Sequence, residues 1–283
     1  MNILQLQIIV LALLACLACV LPGIFLVLRG VALMSDAISH AVLLGIAIMF
    51  LWVRNLDSPL LLIGAALAGV ATVFLTEKII QTRRVKEDAA IGIVFPLFFS
   101  LGIIMISIFA RDVHLDIDMV ILGEIAFAPL SRLVVGGYDL GPAGFYTLGA
   151  VVFVNAVFVF VFFKELVLSI FDHDFAYVSG FSPTMLYYML MFLTSITAVS
   201  AFDIVGSVVV VALMITPPAT AYLLTKKLEE MVLLSILLAL TTGLIGYAAA
   251  AFFDVSIAGS IASMGGVFFL IAFLIKTILL RQT

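Results

Sequence analysis

Charged residues are scarce in this chain of 283 residues. Asp, Glu, Lys and Arg make up 11% of it, whereas soluble domains carry about 25%. Hydrophobic residues make up 65%, and the mean hydropathy is +1.38. The long apolar runs exclude a soluble domain, and they also exclude an outer-membrane barrel, whose strands alternate polar and apolar residues. A helical bundle that crosses a membrane several times is the architecture left.

The chain is also poor in basic residues and in cysteine. Its 13 Lys and Arg stand against 17 Asp and Glu, so no basic patch can follow a phosphate backbone and a nucleic-acid partner is excluded. Cys16 and Cys19 stand in the first apolar run, where small buried side chains are expected. No Lys or Arg precedes Arg29, so we expect the first run to stay in the protein and not to act as a cleaved signal.

Nine apolar runs approach or exceed the roughly 20 residues that a helix needs to cross a bilayer. The runs lie near 8–28, 37–53, 59–76, 90–110, 144–163, 184–202, 205–224, 231–252 and 257–277. Eight is the alternative count of spans. The predicted fold is therefore all-α: one transmembrane helical domain over residues 1–283.

The distribution of basic residues predicts the orientation in the membrane. Short cytoplasmic loops accumulate Lys and Arg. One side of the predicted bundle carries only Arg54, Arg111 and Arg132. The other side carries Arg29, Lys78, Arg83, Arg84, Lys86, Lys164, Lys226, Lys227, Lys276 and Arg281. We therefore expect the N-terminus outside and the C-terminus in the cytoplasm.

The connection 111–143, on the predicted outer side, is too long to be a simple turn. Its segment 119–128 is apolar and too short to cross a bilayer of about 30 Å. Gly123 in this segment would allow close packing against a partner, and Glu124 would attract cations. We therefore predict that Leu122, Gly123 and Glu124 form an external gate. An inert helix at the membrane interface is the alternative.

The connection 164–183, on the predicted cytoplasmic side, reads as a short amphipathic helix. Gly180 and Pro183 close it, because glycine and proline commonly follow the end of a helix. A cytoplasmic helix of this kind is a natural docking surface for a partner protein.

Asp36 and His40 stand four residues apart at the start of an otherwise apolar run. Four residues turn a helix through about 400°, so both side chains project from one face with Cβ atoms about 6 Å apart. Ionisable groups inside a membrane span are costly and usually mark function. The pair therefore predicts a site for one divalent cation. The alternative is a helix cap by Asp36 and a buried, hydrogen-bonded His40.

The chemistry of this pair narrows the choice of ion. One oxygen and one nitrogen ligand suit Mn²⁺, Fe²⁺ or Zn²⁺, and the absence of thiolates argues against a Cu(I) pathway. The sequence has no G-x-x-x-x-G-K-[ST] motif for binding ATP and no H-E-x-x-H motif of a metalloenzyme. We therefore expect a transport protein that is not an enzyme and has no permanently bound cofactor, driven by a partner or an ion gradient.

Four groups of residues, spread from the first run to the seventh, carry a resemblance to a known family. They are Leu28-Arg29-Gly30 with residues 33–43, residues 87–95, residues 171–180, and Val205-Gly206 with residues 212–221. Together they resemble the membrane permease subunits of ABC importers for manganese, zinc and iron. The chain departs from the family pattern at Ser35, where glycine is common, and at Leu44, where proline is common. Both positions flank the predicted ligands without replacing one.

The resemblance implies a function, partners and site residues. Asp36 and His40 would be the cation site, and the coupling helix for an ATPase would include Phe171, Asp172, Ala176 and Gly180. The expected partners are two copies of an ABC ATPase, a second identical or paralogous permease, an extracytoplasmic metal-binding protein and membrane lipid. The implied function is import of a divalent metal, with Mn²⁺ favoured over Zn²⁺ or Fe²⁺, across the bacterial cytoplasmic membrane. An ATP-independent secondary transporter or channel is the alternative.

Overall fold

Helices dominate the computed structural model, which describes residues 3–55, 58, 60–109, 125–135 and 138–280. The described helices are α1 (Ile3–Arg29), α2 (Leu33–Val53), α3 (Leu60–Gln81), α4 (Glu87–Phe109), α5 (Ala143–Val161), α6 (Phe163–Phe171), α7 (His173–Val178), α8 (Pro183–Val205), α9 (Ser207–Leu224), α10 (Leu228–Phe253) and α11 (Ile257–Leu280). A 3-10 turn (Ala128–Leu130) and an antiparallel hairpin of β1 (Arg132–Val135) and β2 (Tyr138–Pro142) precede α5.

Within the described part of the chain, nine helices are long and apolar enough to cross a membrane. They are α1 to α5 and α8 to α11, and each coincides with one of the nine apolar runs. Helices α6 and α7 have nine and six residues and are too short to span. The all-α fold class and the count of nine spans are confirmed.

The hairpin within the connection 111–143 was not predicted. The guanidinium of Arg132 pairs with the carboxylate of Asp139 across the two strands. The backbone N–H of Gly141 also donates to Asp139 at 2.9 Å. This N–H and the Arg132 side chain hold the pKa of Asp139 below its usual range.

The helices form two compact units. One contains Met1–Leu28, Ile117–Val161 and Ser200–Thr283, and the other contains Arg29–Asp116 and Phe162–Val199. In the first unit, α9 continues through Pro217 and Pro218. Pro218 has no N–H for the carbonyl of Met214, and α1 approaches that carbonyl so closely that a Cβ on Gly23 would lie 2.2 Å from its oxygen. Glycine at position 23 is therefore required for this contact.

The second unit holds α2 between α3 and α4 at close range. A Cβ on Gly45 of α2 would lie 2.1 Å from the carbonyl oxygen of Gly64 on α3. A Cβ on Gly102 of α4 would lie 2.9 Å from the backbone nitrogen of Leu44. Small residues at such crossings let helix backbones pack directly in a membrane. These contacts fix α2, the helix that carries Asp36 and His40.

We expect Gly45→Ala to destabilise the purified permease by about 1–3 kcal/mol, because the added methyl group overpacks the contact with α3. Gly92→Ala is the matched control, since a Cβ there meets no atom within 4 Å, and its better helix propensity gains up to about 1 kcal/mol. Thermal unfolding in detergent measures both variants. Equal unfolding temperatures for the two would contradict the close contact between α2 and α3.

Candidate metal site

Helix α2 brings Asp36 and His40 together in its first two turns. Nε2 of His40 lies 3.5 Å from Oδ1 of Asp36. The Asp36 side chain is 42% exposed and the His40 side chain 33% exposed. The two groups therefore converge on a face of this chain that its own atoms leave partly open.

Asp36 does not cap the N-terminus of α2. The N-cap position is Ala32, so Asp36 lies one turn inside the helix. The hydroxyl of Ser35 donates to the carbonyl of Ala32 at 2.8 Å, and that of Ser39 donates to the carbonyl of Ser35 at 2.7 Å. Both serines are buried. The serine hydroxyls thus donate to backbone carbonyls on the buried face of α2, while Asp36 and His40 project from a more open face.

Two aromatic rings of α4 pack against the imidazole of His40. The ring centroids of Phe95 and Phe99 each lie 5.5 Å from that of His40. Phe95 is tilted by 33° to the imidazole, and Phe99 meets it edge-on at 75°. Phe95 and Phe99 are four residues apart, so they share one face of α4. This contact was not predicted from the sequence, although the pair of aromatic residues at helical spacing was a signal that could have indicated it.

The pair could supply one carboxylate oxygen and one imidazole nitrogen to a cation. Among the residues that the structure describes, no three His, Cys, Asp or Glu side chains lie together as a further metal-ligand group. Cys16 and Cys19 are fully buried, free thiols in α1, in agreement with their expected packing role. Oxygen with nitrogen is a donor set for Mn²⁺, Fe²⁺ or Zn²⁺.

A second group of charges lines a cavity of about 410 Å³ in the same unit. The guanidinium of Arg29 lies over the ring of Tyr187, 4.4 Å from its centroid. Its Nη1 is buried and has no hydrogen-bond partner among the described residues. Glu77 and Glu87 line the same cavity. Residues of two of the stretches that carried the resemblance, Arg29 and Glu87, therefore meet in space.

The predicted coupling residues lie on α6, α7 and the residues around them. Phe171 ends α6, and Asp172 caps α7 by accepting a hydrogen bond from the N–H of Phe175 at 2.9 Å. Gly180 has φ +88°, a left-handed conformation that favours glycine. The N–H of Phe181 then bonds to the carbonyl of Ala176, a common way to end a helix.

Ala176 differs from its neighbours in exposure. It is fully buried, whereas Tyr177 is 74% exposed and Val178 is 82% exposed. A partner that docks on α7 would therefore contact Tyr177 and Val178. The sequence predicted one amphipathic helix in this connection, whereas the structure has two, α6 and α7, separated at Asp172. Amphipathic spacing also did not identify which residues face outward.

The predicted gate residues Leu122, Gly123 and Glu124 lie outside the described residues. The next two residues, Ile125 and Ala126, line a cavity of about 330 Å³ together with Asp254. Asp254 follows the last residue of α10 with φ 54°. Asp254 thus lies beside the described residues in the middle of the connection 111–143.

Nine membrane-length helices within the described residues, one of which carries a paired carboxylate and imidazole, are the features of a multi-pass membrane protein. The model of the ABC 3 transport family matches residues 1–276. The chain belongs to this family.

Known relatives agree with this assignment over nearly the whole chain. The manganese transport system membrane protein MntD of Bacillus subtilis is 43% identical over 257 residues, 91% of this chain and 87% of that protein. The zinc transport system membrane protein TroD of Treponema pallidum is 46% identical over 268 residues, 95% of this chain and 73% of that protein.

A solved structure, PsaBC from Streptococcus pneumoniae in complex with Fab, has the same fold. Its TM-score is 0.78 at 31% identity, and the match covers 96% of this chain and 91% of that one. The chain is thus a multi-pass permease of the family of metal ABC importers, as its sequence predicted.

Proposed function

We propose that this chain is the pore subunit of an importer that passes a divalent transition metal, Mn²⁺ before Zn²⁺ or Fe²⁺, through a site formed by Asp36 and His40. The observation that carries the proposal is the 3.5 Å convergence of the carboxylate and the imidazole inside a membrane-spanning helix. Two ligands from this chain also suit transport, since an ion that must leave is bound weakly. Several relatives are named for manganese, which favours that ion.

The open face around Asp36 and His40 favours the presence of a second permease chain that packs against it. A carboxylate that is 42% exposed cannot face lipid without a large cost. An identical or paralogous permease that covers this face would remove the charge from lipid and form the path between the two chains. The metal would arrive on an extracytoplasmic binding protein.

Two ABC ATPases supply the energy in this proposal, because the chain itself has no ATP-binding motif. With the N-terminus outside, the loop containing α6 and α7 lies in the cytoplasm, where an ATPase can reach it. The exposed apolar side chains of Tyr177 and Val178 are suited to such an interface. Leu122, Gly123 and Glu124 remain our candidates for the outer gate.

We expect Asp36→Ala and His40→Ala each to reduce Mn²⁺ uptake to background, because each removes one of the two ligands. Ile48→Ala is the matched control, since Ile48 is an exposed residue of the same helix and offers no ligand. Uptake of radioactive Mn²⁺ by cells or proteoliposomes that hold the complete importer is the measurement.

Membrane abundance of each variant must be compared at the same time, because a poorly inserted chain would also fail to transport. Near-normal uptake by either alanine variant at normal abundance would refute the assignment of the site.

Tyr177→Glu and Val178→Glu should each weaken docking of the ATPase about tenfold or more, because a carboxylate must be desolvated in an apolar contact. Gln81→Glu adds a negative charge at the exposed end of α3 and serves as the control. Stimulation of ATP hydrolysis by the permease and co-purification of the ATPase are the readouts.

A charged residue in place of Ala176 should act differently from the two glutamate variants. Because Ala176 is buried, that change disturbs the packing of the permease itself and affects docking only indirectly. If both glutamate variants at 177 and 178 retain full ATPase binding and stimulation, coupling lies elsewhere, for example at residues 225–230.

A further inference from the structure

We propose that Phe95 and Phe99 form an aromatic clamp that positions His40 and makes the metal site select transition-metal ions over Mg²⁺. This inference rests on the proposed function of Asp36 and His40 and adds residues from a second helix to it. The juxtaposition that supports it is a pair of ligands four residues apart on α2 facing a pair of phenylalanines four residues apart on α4.

Both phenylalanine rings contact the imidazole of His40, each at a different angle. Phe95 packs toward its face and Phe99 meets it edge-on, each with a centroid distance of 5.5 Å. Both are favourable geometries for aromatic pairs. With the ring in contact with both of them, Nε2 of His40 lies 3.5 Å from Oδ1 of Asp36. A ligand held in its binding geometry before the ion arrives loses less conformational freedom on binding.

The backbone of α4 lies close to that of α2, and this distance determines how near the two phenylalanines come to His40. Gly102, three residues beyond Phe99, lies directly against the backbone of Leu43 and Leu44 on α2. This contact keeps the two helices close enough for the phenylalanine rings to reach His40. The close approach of α4 to α2 therefore helps keep the two rings beside the imidazole.

The composition of the clamp also affects which ion can bind. Neither phenylalanine offers an oxygen, so an ion beside His40 must exchange water for the imidazole nitrogen and the Asp36 carboxylate. Mg²⁺ gives up its water reluctantly and prefers oxygen ligands. Mn²⁺, Fe²⁺ and Zn²⁺ accept imidazole. An apolar surround with a fixed nitrogen ligand therefore disfavours the more abundant Mg²⁺.

The test uses the complete importer in proteoliposomes, with Mn²⁺ as the transported probe and Mg²⁺ as the competitor. Phe95→Leu and Phe99→Leu keep an apolar side chain but remove the ring, and Phe95→Tyr and Phe99→Tyr keep the ring. Phe98→Leu makes the same change on α4 at a position outside the two rings that contact His40. The maximal rate and KM for Mn²⁺ and the inhibition constant for Mg²⁺ are measured for each.

We expect each leucine variant to raise the KM for Mn²⁺ about tenfold, as loss of a residue that orients a metal ligand usually does. Inhibition by Mg²⁺ should not weaken in parallel, so selectivity for Mn²⁺ falls. The tyrosine variants, which keep the ring but add an oxygen, should retain the KM for Mn²⁺, and Phe98→Leu should retain wild-type selectivity. A purely structural role would lower the amount of active importer and the maximal rate without changing the ratio of the two constants.

An unchanged ratio of Mn²⁺ KM to Mg²⁺ inhibition constant in both leucine variants would overturn the clamp. A loss of selectivity in Phe98→Leu as large as the loss in the two leucine variants of the clamp would overturn it as well. If Asp36→Ala and His40→Ala abolish uptake while the leucine variants behave as wild type, only the clamp fails. If the alanine variants transport normally, the proposed site itself fails.

Discussion

The cost of placing a charge in a membrane is the constraint on which the rest of this structure depends. A carboxylate and an imidazole inside a spanning helix are tolerated only where protein, water or an ion surrounds them. Asp36 and His40 meet this condition by facing each other and by turning away from the buried face that holds Ser35 and Ser39. Their remaining exposure demands a covering surface. In our proposal, the ligand pair lies on the path of the cation and a second permease chain covers it.

Close packing of α2 against α3 and α4 fixes the geometry of the site. In a membrane, apolar burial between helices drives association weakly, and direct backbone contact at small residues takes its place. Gly45 and Gly102 put α2 in contact with α3 and α4 from two sides. The same contacts bring Phe95 and Phe99 to His40. The proposed site therefore stands on a helix that its neighbours hold tightly.

Most of the fold, and less of the site, could be predicted from the sequence. Length and hydropathy of an apolar run suffice for a membrane helix, so all nine spans agree with the structure. The hairpin near Arg132 was missed because strands of four and five residues carry a weak signal. The spacing of Asp36 and His40 predicts a shared face, since it depends only on helix geometry. The contact with Phe95 and the burial of Ala176 depend on how helices pack, which local spacing does not specify.

Pulsed electron paramagnetic resonance of Mn²⁺ bound to the importer tests the central claim most directly, because it detects a nitrogen nucleus bonded to the ion. With Mn²⁺ delivered to the nucleotide-free complex, we predict a ¹⁴N coupling from one imidazole that disappears when His40 is replaced by alanine. A Mn²⁺ signal with oxygen coordination alone, or a nitrogen coupling that persists without His40, would contradict the account.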